Sequence, residues 1–259
     1  MDPILLPFVG FLVGILIGLT GVGGGATLAP VLLIFFQLEL IAVVAIDLVF
    51  SCITKSIGII FHFRKKTIDW KISKRLWAGS IPASLIILLF INTNPIFFSE
   101  IMMNVLCILI FISGMIMIFR DLINTSTYKY LNLFKLKETK NSFVTTIFGS
   151  LIGASVSATS VGAGAIGAAI LNILYPKRLN PYSLVGTDIV HAIPVTFLAG
   201  FTYFAFGNLD LSILGLLLTG SVPGVIIASN SIFNSPQNLI RIIIGINLIA
   251  SSVFLFYFD

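Results

Sequence analysis

Long apolar runs divided by short polar stretches set the pattern of this chain. Ten such runs stand out, at residues 4–20, 26–36, 40–62, 76–91, 101–119, 144–159, 164–175, 181–206, 211–228 and 239–258. A helix needs about 20 apolar residues to cross a bilayer. At about 1.5 Å per residue, the runs 26–36 and 164–175 reach only about 17 Å, so both are read as half-helices. Each follows an interruption rich in small residues. The first interruption, Gly18-Leu-Thr-Gly-Val-Gly-Gly-Gly-Ala-Thr-Leu-Ala-Pro30, holds four glycines, Gly21 and Gly23 to Gly25, that a regular helix tolerates poorly. It reads as the broken tip of a hairpin inside a membrane.

The two half-helices occupy matching places in an internal repeat. The stretch from Gly14 to Leu33 aligns with Gly153 to Asn172 at an offset of 139 residues. After a two-residue insertion the offset is 141, which sets Asp47 on Asp188, Asp69 on Asp210, and Gly79-Ser80-Ile81-Pro82 on Gly220-Ser221-Val222-Pro223. The expected fold is therefore an all-α polytopic membrane protein made of two repeats, each a broken re-entrant hairpin followed by three transmembrane helices. The first repeat covers 1–120, with its hairpin at 4–36 and helices at 40–62, 76–91 and 101–119. A connector follows at 121–143. The second repeat covers 144–259, with its hairpin at 144–175 and helices at 181–206, 211–228 and 239–258.

Basic residues orient this arrangement. Arg64, Lys65, Lys66, Lys71, Lys74 and Arg75 fall in one loop, and Arg120, Lys129, Lys135, Lys137 and Lys140 lie at or in the connector. Two helices separate these groups, so both face one side, which the positive-inside rule makes cytoplasmic. With re-entrant hairpins, Lys177, Arg178 and Arg241 join them, and the opposite side keeps Asp2, Glu39, Glu100, Asp210 and the C-terminus. A hairpin plus three crossings is an odd number, so the second half is inverted relative to the first, as in many secondary transporters. Both termini are then expected outside the cytoplasm, with the protein in the inner (plasma) membrane.

Composition narrows the class further. Hydrophobic residues make up 58 % of the chain and charged ones 10 %, with a mean hydropathy of +1.10. That excludes an ordinary soluble domain, and the runs are too continuous for the alternating strands of an outer-membrane barrel. The first run follows Met1-Asp2-Pro3, with no basic start or small-residue cleavage site, so it is expected to stay in the mature fold. The net charge of +5 lies beside membrane segments, where orientation and anionic lipid account for it, and no nucleic-acid partner is expected. Cys52 and Cys107 lie inside apolar runs with no ligand at metal spacing. No metal or cofactor is expected.

Two hairpins entering from opposite faces would bring their tips near the midplane. Irregular backbone is tolerated there only where it is buried in protein or lines a polar cavity. The half-helix that begins at each tip aims free N–H groups and its positive end inward, which suits an anion. The candidate binding residues are Thr20, Gly21, Gly23, Gly24, Gly25 and Thr27 in the first tip, Thr159, Ser160, Gly162 and Gly164 in the second, and Lys55 as a counter-charge. Gly10, Gly14 and Gly18 have the spacing of close helix packing.

Ionisable residues inside apolar spans are functional candidates. Two roles stay open for Asp47 and Asp188: carrying protons for coupling, or holding the hairpins by hydrogen bonds. Lys55 either faces an anion or snorkels towards the cytoplasmic loop. His191 either relays protons or is a hydrogen-bonded structural residue. His62 is expected at the interface. The chain lacks H-E-x-x-H and any paired intramembrane Asp motif in the G-x-G-D form, and no Ser-His pair stands out by spacing, so catalysis is not expected.

The run G-x-x-G-V-G-G-G-A-T-L-x-P, the acid in the next helix and a degenerate second copy resemble the TauE/SafE family of sulfite and organosulfonate exporters across essentially the whole chain. In the second copy Ser157, Ser160 and Ala163 replace Gly18, Gly21 and Gly24. The resemblance implies export of a small sulfur-containing anion such as sulfite, sulfoacetate or another organosulfonate. The expected partners are that anion, the lipid bilayer and, as a possibility left open, a second copy in a homodimer. An anion channel of the same fold and a carrier of another oxyanion or carboxylate are the competing readings.

Overall fold

A computed structural model of the chain describes residues 4–20, 24–93, 95–119, 138–176, 178–231 and 237–258. Those residues form ten helices and no strand: α1 (Leu5–Thr20), α2 (Gly24–Phe36), α3 (Leu40–Arg64), α4 (Trp70–Thr93), α5 (Pro95–Ile118), α6 (Glu138–Thr159), α7 (Ala165–Leu174), α8 (Pro181–Ala205), α9 (Leu211–Ser231) and α10 (Gln237–Phe258). Six of them, α3, α4, α5, α6, α8 and α9, contain stretches long and apolar enough to cross a membrane. Helix α7, with 10 residues, spans about 15 Å and α2, with 13, about 20 Å.

Several boundaries differ from those expected, for local reasons. Helix α4 starts at Trp70 rather than Leu76, so Lys71, Lys74 and Arg75 lie on helix and not in the loop. The cause is Asp69, whose Oδ1 accepts from the backbone N–H groups of Lys71 at 3.1 Å and Ile72 at 3.2 Å and so caps the helix before its apolar stretch begins. Its repeat counterpart Asp210 caps α9 in the same way, accepting from Ser212 at 2.8 Å and Ile213 at 3.1 Å. Helix α5 starts at Pro95, a favoured first position. Helix α6 starts at Glu138, inside the expected connector; the connector's earlier residues, 121–137, lie outside the described ones. Its 22 residues reach about 33 Å, longer than the arm expected from Val144.

Helices of one half pack mainly on helices of the other. The close pairs are α1 with α9, α4 with α6, α3 with α8 and α5 with α10, and exchanging the halves turns this set into itself. The contacts of these pairs also match in register at the repeat offsets. Gly10 and Gly14 of α1 lie against the backbone of Leu217 and Ser221, while Gly149 and Gly153 of α6 lie against Leu76 and Ser80. Both contacts run parallel. Helices α3 and α8 instead cross antiparallel, with Gly200 against Val49 and Gly186 against His62 and Thr67. The three-residue turn 37–39 folds α2 back along α3, placing Gly24 beside Asp47 and Ser51.

The aliphatic core lies where the halves meet, with Leu28, Leu32, Val43, Ile46 and Phe50 from the first and Leu217, Val225 and Leu248 from the second. Large apolar side chains such as Phe35, Leu89, Phe197 and Ile246 face outwards. A continuous apolar exterior on this scale suits lipid rather than water. His62, expected at the interface, is buried, with its Nδ1 2.9 Å from Thr67 Oγ1 beneath the glycine at position 186.

The glycine seam gives a direct test. A Cβ at Gly14 would stand 2.5 Å from the Ser221 carbonyl oxygen, whereas one at Gly215 meets nothing within 4 Å. Gly14→Ala should lower stability by about 1–3 kcal/mol through overpacking, and Gly215→Ala should stay within about 0.5 kcal/mol of the parent, both read from melting of the protein in detergent.

Candidate functional site

The second hairpin breaks between Thr159 and Ala165, and every residue of the break is buried. Gly162 and Gly164 turn it with φ of 132° and 119°, open only to glycine, and Ser160 takes φ of 60°. A non-glycine residue there costs roughly 1–2 kcal/mol. The gain that offsets it crosses the protein: Ser160 Oγ donates to Asp47 Oδ2, a buried bond between the second tip and α3 of the first half. A hydrogen bond to a charged group contributes about 1.5–3 kcal/mol, enough to cover the strain. Glycine, which stands at the matching position 21, would relieve the strain and lose the bond.

Each intramembrane acid also faces the half-helix of its own repeat. Asp47 Oδ1 lies where a Cβ on Gly24 would stand 2.5 Å away, with Ser51 Oγ 2.9 Å from the same point. Asp188 Oδ1 lies against Gly167 in the first turn of α7. Two glycines thus leave room for carboxylates at the positive ends of α2 and α7, where negative charge is stabilised. Lys55, two helical turns after Asp47 on α3, is buried in the same interior, only 1 % exposed and within electrostatic range of both acids. It is part of the interior and does not snorkel.

The candidates sort into three groups. Gly24, Gly25, Ser160, Lys55, Asp47 and Asp188 converge, with Gly25 packed so closely on the Ser160 backbone that no side chain fits. The hydroxyls of Thr27 and Thr159 are turned to their own helices, donating to Gly24 O at 3.2 Å and Ser155 O at 2.8 Å. Thr159 Oγ1 also accepts from the Val161 N–H at 3.3 Å. Gly162 and Gly164 shape the break, and their carbonyls accept from Gly167 and Ala168, so α7's first turn is partly satisfied from within. Gly21, Gly23 and the side chain of Thr20 lie outside the described residues.

His191 sits at the edge of this centre, with Nε2 3.1 Å from Ser80 Oγ and its own carbonyl accepting from Trp77 Nε1 at 3.0 Å. Five buried polar atoms have no hydrogen-bond partner among the described residues: Asp47 Oδ1, Ser51 Oγ, Ser157 Oγ, Asp188 Oδ1 and His191 Nδ1. Leaving such atoms unpaired costs about 1–3 kcal/mol each, so they are the groups with most to gain from a polar ligand. Ser51 and Ser157 were not among the sequence candidates. The signal for Ser51 is its place one turn after Asp47, and Ser157 stands where Gly18 stands in the first copy. Chemically the centre offers an ammonium group and hydroxyl donors for an anion, beside two carboxylates that a proton can neutralise.

With this geometry in view, the comparisons with known proteins are informative. The family model described as sulfite exporter TauE/SafE matches residues 6–255. The chain is also 35 % identical over 225 residues to a Bacillus subtilis (strain 168) protein named "Probable membrane transporter protein YjnA", a match covering 85 % of this chain and 87 % of that protein. No solved structure matches.

The Ser160 to Asp47 bond can be measured by a double-mutant cycle. Ser160→Ala and Asp47→Asn should each destabilise the protein, and the double variant should fall short of their sum by about 1–3 kcal/mol. Chemical denaturation in detergent gives the four values.

Proposed function

The chain belongs to the sulfite exporter TauE/SafE family, and from that membership we propose that it is a secondary transporter exporting a small sulfur-containing anion, such as sulfite, sulfoacetate or another organosulfonate, by alternating access. It is a multi-pass membrane protein of transporter type. The observation that carries the finer reading is Lys55, a cation 1 % exposed where a broken hairpin meets the α3 and α8 pair. A buried ammonium group on an otherwise apolar path is the simplest means of drawing an anion off water.

In this reading the anion engages Lys55 and the hydroxyls of Ser51 and Ser157, with backbone at Gly24, Gly25, Gly162 and Gly164 completing the walls. Asp47 and Asp188 hold the half-helices until the anion arrives, and taking up a proton at either would lessen their repulsion of it. The substrate's own gradient, the membrane potential or protons supply the energy. The exchange-symmetric packing of the helices supports two inverted repeats rocking about the α3 and α8 crossing. The proposed location is the inner membrane, with the basic connector in the cytoplasm and both termini outside.

Purified protein in liposomes tests this. Saturable flux of sulfite or a small sulfonate is expected, falling at least tenfold in Lys55→Gln and less in Lys55→Arg, each variant first checked for an intact melt. Flux that never saturates, unitary currents of channel size, or a Lys55→Gln protein with unchanged flux would each sink the proposal.

A further inference from the structure

Two apolar grooves lie on the outer surface of the bundle, of about 440 Å³ and 420 Å³. They are repeat images of one another. Val190, Phe63 and Trp70 in the larger stand where Val49, Phe204 and Leu211 stand in the smaller, and five further lining positions correspond at the same offset of 141 residues. Both open between the crossing helices α3 and α8 and the start of the following helix, α4 in one case and α9 in the other. Their volumes fall in the range of small-ligand sites.

The charge at their mouths differs. Arg64 lines the larger groove and is exposed. Lys65, Lys66, Lys71 and Lys74 are exposed close by in sequence, and Asp69 is the one acid from Arg64 to Arg75. That acid is already neutralised, since Arg178 donates to it from Nε at 2.6 Å and from its terminal nitrogen at 3.1 Å. The smaller groove has Ala205 at the place of Arg64, Asp210 beside its lining residues, and no Lys or Arg between Arg178 and Arg241. Aromatic residues add to the contrast. Trp70 and Trp77 line only the larger groove, stacked edge to face with centroids 6.4 Å apart, and Trp77 is pinned to α8 by its bond to the His191 carbonyl. Tryptophan favours the headgroup level of a bilayer.

We propose that the groove carrying Arg64 is a binding site for one anionic phospholipid, the acyl chain lying along Ile60, Phe63 and Pro194 and the phosphate meeting Arg64, and that its repeat image does not distinguish lipids by charge. The fit is one of complementary halves: an apolar channel sized for a chain, ending at a cation with no free acid beside it. The inference stands whether or not the transported anion is a sulfonate, since it uses none of the central residues.

Native mass spectrometry of the full chain in neutral detergent tests it, with dioleoyl phosphatidylglycerol or dioleoyl phosphatidylcholine added at equal concentration. One phosphatidylglycerol should stay bound where phosphatidylcholine does not. Arg64→Gln should weaken that retention about fivefold, the effect of one basic residue near a lipid surface. Ile60→Trp, which fills the groove without changing charge, should weaken it as well. Ala205→Arg should add a second bound phosphatidylglycerol, and decides the matter even where Arg64→Gln fails to fold. Equal retention of the two lipids, no change in Arg64→Gln, no second lipid in Ala205→Arg, or a dimer whose cross-links run through Phe63 would overturn the assignment.

Discussion

Two aspartates and one lysine sit buried inside a bundle whose surroundings are largely apolar, and the packing of the helices around them follows from accommodating these groups. Burying a charge is costly unless it is paired and hydrogen-bonded. Asp47 meets this condition by reaching the other half of the chain, and Asp188 lies against the first turn of α7, whose positive end favours it. The broken hairpins supply what an unbroken helix lacks: N–H groups and a tip hydroxyl available at depth. Glycines at positions 24, 25 and 167 then follow as a consequence, because any side chain there would occupy space that a carboxylate or the opposing tip already fills.

The same requirement explains why the halves interlock instead of standing side by side. If each repeat formed its own bundle, Ser160 of the second tip could not meet Asp47 of the first half. Pairing α1 with α9 and α6 with α4 along seams of glycine brings backbones close enough for the tips to meet on the α3 and α8 crossing. Without a hydrophobic driving force between helices in lipid, close backbone packing of this kind is the main source of adhesion.

Much of this was legible in the sequence, and what was not has identifiable causes. Run lengths gave ten helices, and the repeat paired Asp47 with Asp188, because both signals depend on positions the chain states outright. Helix starts were less readable where a polar cap precedes the apolar stretch, as Asp69 does for α4. At the site, the approach of the two tips was expected from the proposed symmetry, while the particular meeting of Gly25 with Ser160 was not. The direction of Thr27 and Thr159, turned to their own carbonyls, depends on rotamers that no spacing encodes. Ser51 and Ser157 escaped notice because a lone serine in an apolar helix looks like packing until its surroundings are known.

Ser160 carries one more implication. Were the two repeats identical, the inward-open and outward-open forms of a rocking carrier would be related by a two-fold rotation and equal in free energy, and the empty protein would divide its time evenly between them. A serine in one tip where the other has glycine at position 21 breaks that equivalence, since the strained φ of Ser160 and its bond to Asp47 depend on a hydroxyl that the first copy does not carry there. In the proposed alternating-access cycle, that hydroxyl group is one contribution to an unequal resting population of the two forms.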